Sequence, residues 1–388
     1  MPLRRSRWAG PATRSWLLGF AAFVVARVVG LCWLLYVGHR NDKSLHSMLA
    51  AWDGQWMLAL AGRGYDHIPV DLTDAHGRLT SDTSYAFFPG YPMVVRAVGA
   101  LPGMSTYAAA ILTSVVAGAA ATVAAYRIGR WCALHRWPED ERRGDLAGVI
   151  MALLFAATPM SVVLTMAYTE AIYCAFAGWA LWMILEKRWI AAGLLTMCAG
   201  LTRTTAVALI AVLVIAAFIS RRDGWRPWVG AALAPLGWLF WMVFVGFHVG
   251  APTGWFRVQS NGWGTRFDAG AATVRYLVDT LSLNQTAGDV ITAWVILATV
   301  VLIALTFVTR LPWQVSFYGA LAASTVLLST GLMNSRVRLL LPAFVLLTPV
   351  ALALAQRSRT TQVTVGAAAT VTSAWFGAYM LGIYPYAI

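Results

Sequence analysis

The side chains best suited to chemistry on an anionic substrate are Asp53, Glu170, Arg203, Arg336 and Arg338. Asp53 sits within Trp52-Asp53-Gly54-Gln55-Trp56, where two indoles one helical turn apart bracket a carboxylate. Such rings favour a membrane–water interface and stack on sugar faces, so the acid between them suits a general base acting on a lipid-borne substrate. Asp53 can also serve as the cap of a short helix running to Gly62 and ended by Gly64.

Glu170 lies in Tyr168-Thr169-Glu170-Ala171-Ile172-Tyr173, in the first turn of an apolar helix, where the helix dipole stabilises its charge and where an acid beside a span is a functional candidate. Arg203 divides two apolar half-helices within Thr202-Arg203-Thr204 and needs an anion: Glu170, Asp53 or a substrate phosphate. Asn334-Ser335-Arg336-Val337-Arg338 supplies two more guanidiniums before an apolar helix containing Pro342. These suit either a phosphate cradle or snorkelling to lipid headgroups. The segment Gln259-Ser260-Asn261-Gly262-Trp263-Gly264 adds amides and an indole that fit sugar hydroxyls as well as ordinary turns.

The elements that must position these groups are membrane helices. In 388 residues, 59% hydrophobic and 12% charged, with mean hydropathy +0.66, the apolar surface exceeds what a soluble globule can bury. The apolar runs are about twenty residues long, as an α-helical span requires. The expectation is an all-α polytopic membrane protein. Spans fall near 16–38, 104–126, 146–164, 170–186, 228–248, 287–309, 313–332, 339–355 and 362–381, with a broken or re-entrant pair at 189–220 turning around Arg203. Counting both halves gives about eleven transmembrane or half-spanning helices in a single domain, 1–388.

The net charge of +13 follows the spans. Arg4, Arg5, Arg7 and Arg14 precede the first. Arg127, Arg130, Arg136, Arg142 and Arg143, then Lys187 and Arg188, Arg221, Arg222 and Arg226, Arg310, and Arg357 and Arg359 follow at every second crossing. This positive-inside bias puts the N-terminus in the cytoplasm and the C-terminus outside, and it excludes a nucleic-acid surface concentrated on one soluble domain. The segments 39–103, 165–169, 202–204, 249–286 and 333–338 then share the outer face. The first is long enough to carry one or two interfacial helices.

The apolar run at 16–38 exceeds a signal-peptide core and is expected to be a retained first helix. Cys32, Cys174 and Cys198 fall in spans and Cys132 in a basic loop, with no disulfide or metal pattern. His39, His46, His67 and His76 are scattered, and Asp66, Asp71, Asp74 and Asp82 are expected as solvated loop or turn residues. No cofactor or metal ligand set is expected, and a divalent cation stays open. The Asn284-Gln285-Thr286 sequon carries no weight.

Taken in order, WDGQW at 52–56, GRGY at 62–65, AFFPGYP at 86–92, YTEAIY at 168–173, GLTRTTA at 200–206, PTGWFRVQSNGWG at 252–264 and NSRVRLLLPAF at 334–344 resemble the GT-C superfamily of polyprenyl-phosphate-sugar-dependent glycosyltransferases. Within it the chain is most similar to the bacterial branch of the PIG-V family. The resemblance implies a GT-C-like bundle in the plasma membrane, and inverting transfer at the extracytoplasmic face from a polyprenyl phosphate sugar, usually mannose, to a hydroxyl of a lipid-linked or cell-envelope acceptor. In that scheme Asp53 is the general base and Glu170 orients it or the acceptor. Arg203, Arg336 and Arg338 hold the leaving phosphate, and Trp52, Trp56, Tyr168, Gln259, Asn261 and Trp263 shape the sugar and acceptor site. With one acid in the first-loop site and no Asp-x-Asp, a metal-free mechanism is favoured. A different donor sugar is open, as is a lipid-phosphate transporter or flippase, which an inverted repeat or a second broken helix would support. The sequence displays neither.

Overall fold

The apolar runs form helices and the proline, glycine and capping positions end them. A computed structural model describes residues 15–388, so Arg4, Arg5, Arg7 and Arg14 lie outside the described residues. All regular elements among those residues are helical, and extended backbone pairs at a single bridge, Phe267 with Ser329. The chain is an all-α polytopic membrane protein.

Ser15–Arg40, Thr106–Arg136, Ala287–Val308 and the run Arg226–Val249 are long and apolar enough to cross a bilayer. Met333–Leu339 and Leu341–Leu354 make a fifth crossing only if taken together, being bent by 58° at the break. Glu170–Leu185, Trp189–Gly200 and Ala206–Ile219 are shorter apolar helices, and the last two form the pair expected at 189–220. Lipid-facing sides stay apolar: Val24, Val25, Val28, Leu31 and Leu35 are exposed on the first helix, and Leu239, Phe240, Val243 and Phe247 on Leu236–Val249.

Several boundaries differ from the hydropathy pattern: the run expected at 313–332 ends at Leu327, and that expected at 339–355 belongs to the bent pair beginning at Met333. The span expected to stop at 126 continues to Arg136, because Ile128, Cys132, Ala133 and Leu134 keep one face buried against Glu141–Ala156. Arg130 Nε then lies 2.6 Å from Asp145 across that hairpin, and Cys132 is buried instead of lying in a loop. Small residues permit this approach, since a Cβ on Gly148 would fall 2.7 Å from Tyr126 Cδ2.

The run expected at 146–164 breaks. Its helix ends at Ala156, ahead of Pro159, and a 3₁₀ turn Ser161–Leu164 follows Met160 at φ 62°. Arg27, from the middle of the first helix, donates to the Ala156 carbonyl at 2.6 Å, to the Ser161 carbonyl and to Ser161 Oγ at 2.7 Å. A cation there satisfies carbonyls that a broken helix leaves without amide partners.

One end of the bundle is basic. Lys187 pairs with Asp223 at 2.8 Å and Arg136 donates to the Thr309 carbonyl at 3.1 Å. At the other end five segments meet. Ala167 N–H donates to the Leu49 carbonyl at 3.0 Å, Gly90 N–H to the Leu201 carbonyl at 2.7 Å, and Gln259 Nε2 to the Ala86 carbonyl at 2.9 Å. The segment 39–103 contains the short helices Leu45–Leu49, Asp53–Arg63 and Gly90–Gly99, and the segment 249–286 contains Gly254–Trp263 and Ala271–Ser282.

Asp74 departs from the solvated residue expected of a loop aspartate. It is buried, accepts the N–H groups of His76 at 2.8 Å and Arg78 at 2.9 Å, and pairs with the Arg78 side chain at 3.2 Å. Arg78 in turn donates to the Asn261 carbonyl, and Ala75 N–H to the Gly262 carbonyl at 3.0 Å, so this turn ties the two outer segments together.

Candidate active site

Asp53 is the first residue of helix Asp53–Arg63. The helix reaches its start through Trp52 at φ 49°, ψ −114°, a conformation costly for a residue with a Cβ. Asp53 is therefore not the cap: Trp52 holds that position, without a side-chain capping bond, and the carboxylate turns to Arg338. Gly64, at φ 86°, closes the helix.

Arg338 Nη2 lies 2.6 Å from Asp53 Oδ2 and Nη1 lies 2.8 Å from Glu170 Oε1, while Nε donates to the main-chain oxygen of Ile388 at 2.7 Å. Its guanidinium stacks on Tyr168 at 5.0 Å from the ring centre, and the Tyr168 hydroxyl donates to the Ala51 carbonyl at 3.0 Å. Arg203, at the turn between Gly200 and Ala206, reaches the same Glu170 Oε1 at 2.9 Å and Thr169 Oγ1 at 2.9 Å. Glu170 thus answers the need of Arg203 for an anion.

Glu170 is 0% exposed, and its second oxygen, Oε2, has no hydrogen-bond partner. The Asp53 side chain is 29% exposed and faces open space. Of the two acids, Asp53 alone can meet a substrate, whereas Glu170 fixes two arginines by its charge.

That open space is a cleft of about 240 Å³. Arg203, Arg336 and Arg338 line it together with Phe87, Trp255, Gln259, Trp263, Tyr168 and Asp53. Phe87 is held by Trp56, stacked at 5.1 Å, and by Trp263, edge-on at 5.4 Å. Trp255 Nε1 and Gln259 Nε2 both donate to the Ala86 carbonyl, at 3.1 and 2.9 Å.

Arg336 is 2% exposed, donates through Nη2 to the Ser329 carbonyl, and has a buried Nη1 without any partner. Its neighbour Ser335, 1% exposed, likewise has an unpartnered buried Oγ. Both residues line the cleft.

Three sugar-site candidates stand outside the cleft lining. Trp56 is buried behind Phe87, Trp52 is half-buried at the helix start, and Asn261 is exposed on the seam where its carbonyl meets Arg78. In the opposite direction, Phe87, Trp255, Thr202, Ser329, Thr330 and Ser335 line the cleft and were not singled out in the sequence. Phe87 belongs to the AFFPGYP block and Ser335 to NSRVR, so block membership was the available signal. Among the described residues no three His, Cys, Asp or Glu side chains converge as a metal site.

No protein-family model matches the chain, and no curated protein matches it in sequence. Among solved structures, ArnT from Cupriavidus metallidurans, in a crystal structure bound to undecaprenyl phosphate, is 16% identical with a TM-score of 0.52, covering 91% of this chain and 63% of that one. The archaeal oligosaccharyltransferase AglB from Archaeoglobus fulgidus, in complex with an inhibitory peptide and a dolichol-phosphate, is 12% identical with a TM-score of 0.48, covering 94% of this chain and 56% of that one. This chain therefore spans less than two thirds of either, and the second likeness is too loose to carry an argument. The first establishes a shared architecture, and the fold is a GT-C-like helical membrane bundle.

Proposed function

We propose that the chain is an inverting glycosyltransferase that moves a sugar from a polyprenyl phosphate donor to a hydroxyl acceptor at the extracytoplasmic face of the plasma membrane. One observation carries this reading: an accessible carboxylate, Asp53, lines one cleft together with three arginines and the aromatic rings of Phe87, Tyr168, Trp255 and Trp263. The fold shared with ArnT, whose crystal structure contains undecaprenyl phosphate, supports a lipid phosphate as the donor's carrier.

In the proposed step Asp53 takes the acceptor hydroxyl proton while the acceptor oxygen bonds to the anomeric carbon, on the face opposite the phosphate. The anomeric carbon–oxygen bond to phosphate breaks and its electron pair leaves with the polyprenyl phosphate, whose negative charge the arginines stabilise. The products are an inverted glycoside, polyprenyl phosphate and a proton on Asp53. Phosphate leaves without needing a general acid. Phe87, Trp255 and Trp263 offer faces for the sugar ring. Mannose as the sugar, and a lipid-linked or cell-envelope glycan as acceptor, rest on the motif resemblance to the PIG-V family.

A second reading, a lipid-phosphate transporter, gains from one finding. The span 333–354 is broken, as is the pair 189–219, and both breaks converge on Glu170 through Arg338 and Arg203. Discontinuous helices around an anion site recur in transporters. Asp53 separates the two readings, because transport has no use for an acceptor-facing base.

The test is transfer of label from radiolabelled polyprenyl-phosphomannose in proteoliposomes containing wild type or Asp53→Asn, with and without chelator. Asp53-dependent label in a new product supports transfer, and chelator sensitivity would add a metal. Passage of the lipid across the bilayer without any product would favour transport.

A further inference from the structure

The three arginines of the cleft differ in what their N–H groups already do. Arg338 is 7% exposed, and its Nε, Nη1 and Nη2 each have an acceptor, two of them carboxylates. Arg203 has its Nη1 on Glu170 and Thr169. Arg336 has no carboxylate within ion-pair distance among the described residues, and its Nη1 is buried without a partner. Asp268 is the acid that faces it. The Asp268 oxygens accept the N–H groups of Gly270 at 2.9 Å and Ala272 at 2.7 Å and form no salt bridge with Arg336.

A buried guanidinium N–H without an acceptor is costly, and a buried hydroxyl without a partner on the adjoining residue repeats the cost. Native proteins keep such groups where an absent ligand completes them. Ser335 and Arg336 are consecutive in sequence, both residues are more than nine-tenths buried and both line the cleft, and each has one unpartnered polar atom. An oxyanion is the ligand that accepts from both.

We infer that Ser335 and Arg336 form the seat of the lipid-linked phosphate, while Arg338 is a positioning residue that holds Asp53 and does not bind the phosphate. The inference rests on the glycosyl-transfer reading for the identity of the lipid, and it divides a set of arginines that the sequence treats as one cradle. Each nitrogen of Arg338 already serves an acceptor, and two of those acceptors are carboxylates whose charge repels a phosphate approaching the same guanidinium. At Arg336 Nη1 no acceptor is in place to compete with the phosphate.

The test measures binding by the full chain in lipid nanodiscs, read from tryptophan fluorescence since Trp255 and Trp263 line the cleft. The probes are a polyprenyl monophosphate, the corresponding polyprenol and inorganic phosphate. Wild type is expected to prefer the monophosphate over the polyprenol by at least about tenfold, a hydrogen-bonded charge being worth roughly that much. Arg336→Gln is expected to remove most of that preference, Arg336→Lys to restore part of it, and Ser335→Ala to weaken it by about three- to tenfold. Arg338→Lys is expected to keep binding within about twofold while transfer falls through kcat, with donor KM unchanged.

If inorganic phosphate competes with Arg336 dependence, the seat recognises the phosphate itself; if only the lipid form binds, the seat is specific for the lipid phosphate. Both results support the assignment. Equal loss of binding in Arg338→Lys and Arg336→Gln, from proteins that elute as wild type, would overturn it. So would a wild type blind to the phosphate. Arg336-dependent binding with no sugar transferred from any donor keeps the seat and removes the transferase reading. Transfer unaffected by Arg336→Gln keeps the reading and removes the seat.

Discussion

Arg338 Nη2 contacts Asp53 Oδ2 at 2.6 Å across 285 positions of sequence, joining the helix after the first span to the second broken span. The same guanidinium holds Glu170, so one cation orients an exposed acid against a sealed one. Replacing Asp53 by Asn preserves shape and removes the proposed base. Transfer is expected to fall by roughly 10²–10⁴-fold, the usual worth of a general base, with polyprenyl phosphate still bound. A variant that keeps most of its turnover in the proteoliposome assay would show that the base lies elsewhere.

Glu170→Gln leaves Arg203 and Arg338 facing each other in a buried site without the carboxylate they share. Breaking a buried pair by removing one partner costs about 3–5 kcal/mol. The expected outcome is a clear drop in thermal stability together with lost activity, followed by light scattering or tryptophan emission on heating. An unchanged melting temperature would mean that Glu170 contributes no such anchoring.

Gly90 donates its N–H to the Leu201 carbonyl at 2.7 Å, and a Cβ at that position would lie 2.7 Å from the same oxygen and 2.8 Å from Thr202 Cγ2. Gly90→Ala should therefore push the turn that carries Arg203. The expected cost is about 1–3 kcal/mol of stability, with a lower kcat, as for other overpacked sites. Wild-type stability and turnover in this variant would show that the turn gives way freely.

Trp263 lines the cleft and packs edge-on against Phe87. Losing a stacking ring costs about 1 kcal/mol, so Trp263→Ala is expected to raise donor KM about five- to tenfold with kcat less affected. Trp225, exposed at the basic end, is the control whose removal should leave KM alone. A Trp263→Ala enzyme with wild-type KM would move the sugar away from the aromatic rings.

The Asp74 carboxyl feels burial, which raises its pKa, but the Arg78 and His76 N–H groups and the Arg78 guanidinium outweigh it and hold it below the usual range. A depressed native pKa contributes stability above the unfolded value of about 3.9, and that contribution is lost as pH falls through the lower native value. Limited proteolysis, with an acid-active protease at low pH and a neutral one at pH 7, should therefore show the 74–78 turn loosening below about pH 4. Asp74→Asn should show the same loosening already at neutral pH. Equal cleavage of both proteins across that range would remove Asp74 as the tie between the two outer segments.

Much of the architecture was legible because a membrane span is a local property. Twenty consecutive apolar residues suffice to mark one, and the pair divided at Arg203 could be recognised from basic residues at both of its ends. Where the pattern misled, the cause was also local. Pro159 ends its helix inside a run that hydropathy alone treats as continuous, and Ile128 to Leu134 carry a helix into a stretch whose arginines suggested a loop. The second broken span, at 333–354, was marked only by Pro342.

The composition of the candidate site was partly legible too. Asp53, Tyr168, Arg203, Gln259, Trp263, Arg336 and Arg338 all line one cleft, whereas Trp52, Trp56 and Asn261 do not. Trp56 and Asp53 are three residues apart on one helix, yet packing turned the indole under Phe87 and left the carboxylate open.

By itself the sequence determined the membrane class, the helical runs and the residue types available at one end of the bundle, because hydrophobic length and charge asymmetry act along the chain. Tertiary structure alone decided which arginine answers which acid. Pairing requires contacts under 4 Å between groups 33 to 285 positions apart, and only helix packing sets such distances. It also decided that Glu170 is sealed, that every Arg338 nitrogen has an acceptor, and that Arg336 keeps a buried Nη1 without one.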